Sequence, residues 1–99
     1  MKIIKTPKKL TLKDGTIIPA NTSLQFVRHL EDSTTIGVFA LNGVEMKMRY
    51  RSVIKNPAMR TLEKWSYDSV CKSVFGCKVE PDGYGKNGEP SWLLALNMI

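Results

Sequence analysis

The dipeptide Asn42-Gly43 constrains the fold more than any other feature of the sequence. A two-residue type I′ hairpin turn needs left-handed backbone at both positions, and Asn followed by Gly tolerates this well. The segment after the turn alternates strictly between apolar and charged side chains, which is typical of a strand with one buried face. The apolar positions are Val44, Met46, Met48 and Tyr50, and the charged positions are Glu45, Lys47, Arg49 and Arg51. The sequence therefore predicts a half-buried strand over residues 44–51.

The residues before this hairpin also read as short strands joined by tight turns. Leu10 and Leu12 alternate with polar residues, and Asp14-Gly15 is suited to a two-residue hairpin turn. The five predicted strands span residues 10–13, 16–18, 23–30, 35–41 and 44–51. Five short strands with no helix between them favour a small five-stranded antiparallel SH3-like β-barrel, with an OB-like barrel as the alternative. Residues 12–20 are similar to the opening of many small barrels of this kind.

The hydrophobic period changes after Asn56-Pro57. A helix is predicted from Thr61 to about Phe75, with Gly76 as the left-handed residue just past its end. The apolar stripe of this helix comprises Tyr67, Val70, Cys71 and Val74. Leu62 and Trp65 point away from that stripe, so this second face is either covered by the C-terminal segment or available as a docking surface.

The C-terminal segment contains a loop and a short apolar helix. Ser91 is suited to cap a helix over residues 92–96, and Asn97 is suited to end it in left-handed geometry. Met98 and Ile99 are then expected to pack back onto the core. The expected fold is a single α+β domain over residues 1–99, with a basic β-barrel part (1–56) and a helical part (57–99) packed on it.

Length and composition exclude several classes of protein. Ninety-nine residues with 42% hydrophobic side chains suffice for one folded domain but not for a doubly wound nucleotide-binding fold. No apolar run approaches the ~18 residues that span a bilayer, and the basic start lacks the apolar segment of a signal peptide. Cys71 and Cys77 lack the flanking ligands of a zinc site. We interpret them as reduced thiols of a cytoplasmic protein, with a disulfide as the alternative.

The sequence offers little for catalysis or cofactor binding. His29 is the single histidine, and no nucleophile, helper residue and oxyanion element can be grouped around it. Glu80, Asp82 and Glu89 fall in a Gly-rich loop, but their spacing does not match a calcium loop, and such carboxylates are expected to be solvated. We therefore predict no enzymatic activity, no metal and no small-molecule cofactor.

The C-terminal segment carries a resemblance to a known group of proteins. Val79–Gly83 reads Val-Glu-Pro-Asp-Gly and is followed by Gly88, by Pro90–Leu96 (Pro-Ser-Trp-Leu-Leu-Ala-Leu) and by Ile99. This pattern resembles the C-terminal signature of small uncharacterised proteins encoded by bacteriophages and prophages. Asn97 departs from the Gly expected there, although Asn also tolerates left-handed geometry. The resemblance implies a phage or prophage origin and action in the bacterial cytoplasm, and it transfers no functional residue.

Positive charge is concentrated in the first part of the chain. Residues 1–60 contain eleven Lys or Arg and four Asp or Glu, a balance of +7, whereas residues 61–99 contain four and five, a balance of −1. The candidate binding residues are Lys47, Arg49 and Arg51 on the outer face of the predicted strand, followed by Lys55 and Arg60, with Lys8 and Lys9 from an N-terminal cluster that includes Lys2 and Lys5. Such a patch can neutralise nucleic-acid phosphates. The simpler interpretation is a solvated strand face that discourages edge pairing.

A host protein is the other partner that we consider. A basic patch can also meet an acidic protein surface, and Trp65 with Leu62 could anchor such an interface. Trp65 could instead pack against Trp92 and Leu93 of the apolar C-terminal segment. For nucleic-acid binding, Tyr50 and Phe39 would be candidate stacking residues, although the alternation puts Tyr50 on the apolar face. The sequence thus favours non-enzymatic binding of nucleic acid or a nucleic-acid-handling complex, with a host-protein modulator as the alternative.

Overall fold

The computed structural model describes residues 2–99, in which short strands and helices form an α+β domain. In chain order the elements are β1 (Ile3–Lys5), β2 (Leu10–Thr11), β3 (Ile17–Ile18), β4 (Ser23–His29), β5 (Ile36–Leu41), β6 (Val44–Arg49), α1 (Tyr50–Val53), α2 (Met59–Tyr67), β7 (Cys71–Lys72), β8 (Lys78–Val79) and α3 (Trp92–Ala95). No helix among residues 2–99 is long and apolar enough to cross a membrane.

The largest sheet is antiparallel and has the strand order β1-β4-β5-β6. The predicted turn between β5 and β6 is confirmed, since Asn42 and Gly43 have φ angles of 53° and 81°. This two-residue turn sets a continuous register that runs from Leu41 opposite Val44 to Ile36 opposite Arg49. The strands β1 and β6 are the two edges of the sheet. The remaining strands form two separate pairs, β2-β3 and β7-β8, so the strands that the structure describes form no closed barrel.

The register separates the sheet into a core face and an outer face. A bulge in β4 makes Val27 the extra residue, so that Phe26 lies opposite Phe39 and Arg28 lies opposite Val38. The core face contains Leu24, Phe26, Phe39, Met46 and Met48. The outer face contains Arg28, Val38, Glu45, Lys47 and Arg49. The strict alternation in β6 therefore has the predicted outcome, with the Met side chains inward and the charged side chains outward.

The predicted β2–β3 hairpin is present, but its loop has three residues rather than two. The Leu12 amide donates to the carbonyl of Thr16, and Gly15 has a φ of 89°. A three-residue loop that ends in left-handed geometry is the next most common hairpin connection. Asp14 Oδ1 accepts a hydrogen bond from the Thr16 amide, which lowers the pKa of the Asp14 carboxyl. Leu10 and Ile18 are buried, so the hairpin contributes to the core.

A single turn of helix, α1, ends the run of alternating residues earlier than predicted. Tyr50 is its first residue and is fully buried, with its ring edge-on to Phe39 at a centroid distance of 5.9 Å. Gly37 makes room for this ring, because a Cβ built on Gly37 would lie 2.6 Å from the Tyr50 hydroxyl oxygen. The predicted strand 44–51 therefore ends at Arg49, where the chain turns Tyr50 into the core.

The predicted helix over residues 61–75 is wrong in its second half. The helix α2 ends at Tyr67, and the chain then forms β7, which pairs with β8. Leu62 is buried and Trp65 is half-buried, so the buried face of α2 is the one that the sequence stripe excluded. Tyr67 is 91% exposed. Cys71 and Val74 of the stripe are buried, but in a strand and a turn rather than on a helix.

The C-terminal segment is organised by a buried carboxylate. Glu89 is fully buried, and its Oε2 accepts a hydrogen bond of 2.6 Å from the Ser73 hydroxyl, while its Oε1 accepts one of 3.0 Å from the Asn87 amide. Ser73 Oγ in turn accepts from the amides of Phe75 and Cys77. The expectation that Glu89 is solvated is therefore wrong, because its side chain ties the β7–β8 turn to the loop that precedes α3.

The short helix α3 begins as predicted and ends at Ala95, one residue before the predicted end. The Ser91 side chain caps it by accepting a hydrogen bond of 3.1 Å from the Leu94 amide, and Asn97 has a φ of 58° just past its end. The Met98 amide donates to the carbonyl of Leu93, but the side chains of Met98 and Ile99 are exposed. The expected packing of these two side chains onto the core is wrong.

The hydrogen bonds of Ser73 lead to a prediction about stability. Replacement Ser73→Ala removes the hydroxyl that donates to Glu89 and leaves a buried carboxylate oxygen without its donor, which costs ~1–3 kcal/mol or more in the free energy of unfolding. Urea denaturation measures this loss. The control is Ser66→Ala, which removes an exposed hydroxyl and is expected to change stability by less than ~0.5 kcal/mol. Equal stabilities of the two variants would contradict the role given to Glu89.

Candidate nucleic-acid interface

Two cations of the candidate site project from an edge strand. Lys47 and Arg49 lie on the outer face of β6, opposite Val38 and Ile36 of β5, and both side chains are exposed. The turn-fixed register is what places them there, because a shift by one residue would exchange them with the methionines of the core face. This confirms the predicted orientation of Lys47 and Arg49.

These cations have no carboxylate partner. Among residues 2–99 the one ion pair joins Arg28 to Glu45, with 3.2 Å between Nη1 and Oε1, and both side chains are more than half exposed. An exposed pair of this kind contributes little to stability. The pair nevertheless engages Glu45, which is the single carboxylate on the outer face of β6. The positive charges of Lys47 and Arg49 therefore remain uncompensated.

Arg51 extends the basic surface toward the C-terminal helix. Arg49 and Arg51 line one pocket of about 220 Å³ together with Thr35, Leu96 and Asn97. Two guanidinium groups, a hydroxyl and an amide at one pocket suit an anion, since guanidinium groups bind phosphate and carboxylate oxygens in a planar fork. Asn97 thus lines this pocket as well as following the end of α3 with a φ of 58°.

A larger groove of about 710 Å³ lies between β6 and the β2–β3 hairpin. Its apolar lining comprises Leu10, Leu12, Ile36, Met46 and Met48. Its charged lining comprises Lys13, Asp14, Lys47 and Arg49. Lys13 is a basic residue that sequence reasoning did not assign to the site. Its position just before Asp14-Gly15 was the available signal, because a hairpin tip can reach over the edge of a neighbouring sheet.

The other predicted basic residues are exposed but do not line this groove or the pocket. Lys55 lies in the segment between α1 and α2, and Arg60 lies in the first turn of α2. Lys8 and Lys9 directly precede β2, whose first residue lines the groove. Lys5 belongs to β1, which is the opposite edge of the sheet from β6. Lys5 therefore lies away from the cations of β6.

The sheet offers no stacking platform for bases. Phe39 and Tyr50 are fully buried, which confirms the side of the sheet that the alternation indicated for Tyr50. The outer face of the sheet, as far as the structure describes it, carries no aromatic side chain. The arrangement suits contacts with phosphates rather than stacking with bases.

Trp65 belongs to the core side of α2 rather than to the basic surface. It is half-buried and packs against the core cluster that includes Trp92 and Leu93, and α2 contacts α3. Leu62, three residues earlier on the same face, is 3% exposed. Of the two interpretations of Trp65, the structure favours packing within the core over a docking anchor.

His29 lies at the end of β4 and contacts two tyrosines. Its Nδ1 is 2.8 Å from the Tyr50 hydroxyl oxygen, and its ring centroid is 5.5 Å from that of Tyr84. Burial lowers the pKa of His29, although the backbone of Ser33 acts in the opposite direction. Burial raises the pKa of Tyr50, with the negative charge of Glu89 adding to the effect. The Tyr50 hydroxyl and the His29 imidazole thus share a partly buried hydrogen bond that links the start of α1 to the end of β4.

Comparison with known proteins adds no relative: no protein-family model, curated protein or solved structure matches this chain significantly.

The position of Trp65 predicts a structural rather than a binding effect. Replacement Trp65→Ala removes packing between α2 and the core and is expected to lower the free energy of unfolding by about 2–3 kcal/mol, less than for a fully buried tryptophan. Tyr67→Ala on the same helix removes a 91% exposed ring and is expected to change it by less than ~0.5 kcal/mol. Thermal or urea unfolding compares the two variants. A fully stable Trp65→Ala protein would contradict this placement.

The lowered pKa of His29 predicts a pH dependence of stability. In the unfolded chain the imidazole titrates near its ordinary pKa of 6.5, so the unfolded state binds more protons than the folded state below about that pH. The free energy of unfolding therefore falls as the pH decreases through 6.5 toward the folded-state pKa. Urea unfolding at about pH 7.5 and 5.5 measures this loss. The loss should be smaller in His29→Gln, and an equal loss in both proteins would contradict the assignment.

Proposed function

We infer that this chain is a non-enzymatic binding protein, phage-encoded and active in the bacterial cytoplasm, that binds nucleic acid or a nucleic-acid-handling complex through the outer face of β6. The observation that carries the proposal is the pair Lys47 and Arg49, which project from an edge strand and form no ion pair with a carboxylate among residues 2–99. The phage origin and the cellular location rest on the resemblance of the C-terminal signature.

Arg51 supports a contact with phosphate groups. Arg49 and Arg51 line the same small pocket, and Lys13 and Lys47 line the adjacent groove. Four basic residues therefore lie around these two sites next to β6. Asp14 is the one acidic residue in the lining of either site. Uncompensated cations displace the counterions that are condensed on a polyanion. The release of these counterions favours binding at low salt.

The outer face favours binding of the backbone over reading of the sequence. No aromatic side chain lies on that face among residues 2–99. The proposed contacts of Lys47, Arg49 and Arg51 are therefore to phosphates. We expect weak sequence preference and steep salt dependence. Lys8, Lys9, Lys55 and Arg60 are exposed and would add long-range attraction.

The alternative function is modulation of a host protein with an acidic surface. The core placement of Trp65 removes the aromatic anchor from this alternative. The groove beside β6 supports it instead, because its apolar lining is more than a polyanion requires. A pull-down from bacterial lysate, with and without nuclease, separates the two functions: a stoichiometric protein that survives nuclease treatment would favour the alternative.

The SH3-like five-stranded barrel belongs to the proposal as well. The antiparallel run β4-β5-β6 and the β2–β3 hairpin beyond the edge of β6 support it. In this proposal the barrel is open along the edge of β6, and a solved structure in which the hairpin faces that edge across the groove would support it.

The double charge reversal Lys47→Glu with Arg49→Glu tests the nucleic-acid proposal. Fluorescence anisotropy with a labelled DNA duplex, a DNA single strand and an RNA duplex should show at least about a tenfold loss of affinity at low salt. The dependence of log affinity on log salt should also become shallower by about two, one for each lost phosphate contact.

The control is the reversal Lys72→Glu with Lys78→Glu, an exposed cross-strand pair of the β7–β8 hairpin. It changes the net charge equally but leaves β6 intact, so affinity should fall by less than about threefold. Equal losses in the two variants would show that net charge, not the β6 face, determines binding. A wild-type protein that binds none of the three nucleic acids would contradict the function itself.

A further inference from the structure

The strand β6 has an unpaired backbone edge. In an antiparallel pair, alternate residues direct their N–H and C=O groups toward the partner strand and away from it. The two-residue turn makes Leu41 and Val44 a hydrogen-bonded pair, so Val44, Met46 and Met48 bond to β5. The Tyr50 amide continues this pattern by donating to the carbonyl of Thr35. The backbone amides of Glu45, Lys47 and Arg49 therefore point away from the sheet.

The groove of about 710 Å³ runs along this unpaired edge of β6. Lys47 and Arg49 line the groove, and its opposite wall is the β2–β3 hairpin, with Thr11 and Leu12 among its residues. A volume of about 710 Å³ is enough for several residues of an extended chain. An unpaired edge, a groove along it and apolar residues at its base are the elements of recognition by strand addition.

The register decides which side chains an added strand would need. Successive residues of a strand point to opposite faces of its sheet. On one face the neighbours of the added strand are Met46 and Met48, with Leu10 and Leu12 across the groove. On the other face they are Lys47 and Arg49. Apolar residues on the first face and acidic residues on the second would match both.

We propose that the edge of β6 is a docking site for an extended peptide segment in which acidic and aliphatic residues alternate, bound as an additional strand between β6 and the β2–β3 hairpin. The occupant is an acidic protein segment because the groove combines apolar side chains with three cations against the single carboxylate of Asp14. The inference goes beyond the proposed function, since it depends on the backbone of β6 and on the apolar base of the groove, neither of which a phosphate contact uses.

Synthetic decapeptides provide the probe. The set alternates Glu or Asp with Val, Ile or Leu, and a matched set carries Lys in place of the acids. The acidic set should bind the full chain, and amide hydrogen exchange followed by NMR should show protection of Glu45, Lys47 and Arg49 on binding. The basic set should neither bind nor protect.

A matched pair of substitutions separates backbone from charge. Lys47→Ala and Lys47→Pro both remove the side-chain charge, but Pro also removes the outward N–H, which an edge strand tolerates. Peptide affinity should be about tenfold lower in Lys47→Pro than in Lys47→Ala, the effect of losing a strand hydrogen bond. Nucleic-acid affinity should be the same in both. Should Lys47→Pro not fold, Leu12→Ser tests the groove instead: it should weaken peptide binding several-fold and leave nucleic-acid binding unchanged.

Several results would overturn the proposal. Equal peptide affinity of the two Lys47 variants, without protection of the β6 amides, would mean that peptide binding depends on charge attraction alone. Amides of β6 protected in the free chain would mean that the β2–β3 hairpin closes on this edge, and protection that grows with protein concentration would mean that a second copy occupies it. Failure of every acidic peptide to bind would also overturn it. Loss of nucleic-acid binding with peptide binding intact would remove the proposed function and leave this inference standing.

Discussion

The pairing of β5 with β6 across the Asn42–Gly43 turn is the constraint on which the rest of the structure depends. Because side chains alternate along a strand, a slip of one residue would bury Lys47 and Arg49 and expose the core methionines. Burial of unpaired cations would cost more free energy than the net stability of a small domain. The turn therefore specifies the core, the cationic outer face and the open edge together.

A second constraint acts at the other end of the chain, where secondary structure is sparse. Here the side chain of Glu89, rather than strand pairing, connects the segments. It accepts hydrogen bonds from the Ser73 hydroxyl and the Asn87 amide. Gly85 lies so close to this carboxylate that a Cβ there would clash with it. Glu89 and Gly85 thus hold this loop together around one buried carboxylate, and Ser91 then begins the helix α3 that closes the core.

Local signals predicted the local structure, and long-range contacts decided the rest. The turn at Asn42-Gly43 and the cap at Ser91 depend on a few neighbouring residues, and both were predictable. The strand β1 was missed because three residues become a strand only when β4 is there to pair with them. The end of α2 was placed too late because Cys71 and Val74 satisfy a helical period equally well when a strand and a turn bury them. For the site, the orientation of Lys47 followed from alternation, whereas the contribution of Lys13 depends on where the hairpin lies.

The charge of β6 also bears on how its open edge avoids pairing with other strand edges. Exposed strand edges invite pairing with any other edge, and charged side chains on the edge are a common protection against it. Lys47 and Arg49 are charged side chains of this kind, and a net charge of +6 makes copies of the chain repel one another. The same charges would favour association with one class of partner. An acidic strand or a polyanion would be attracted to β6, whereas basic chains would be repelled. Protection of the edge and the proposed selection of a partner would therefore both follow from a single arrangement of side chains.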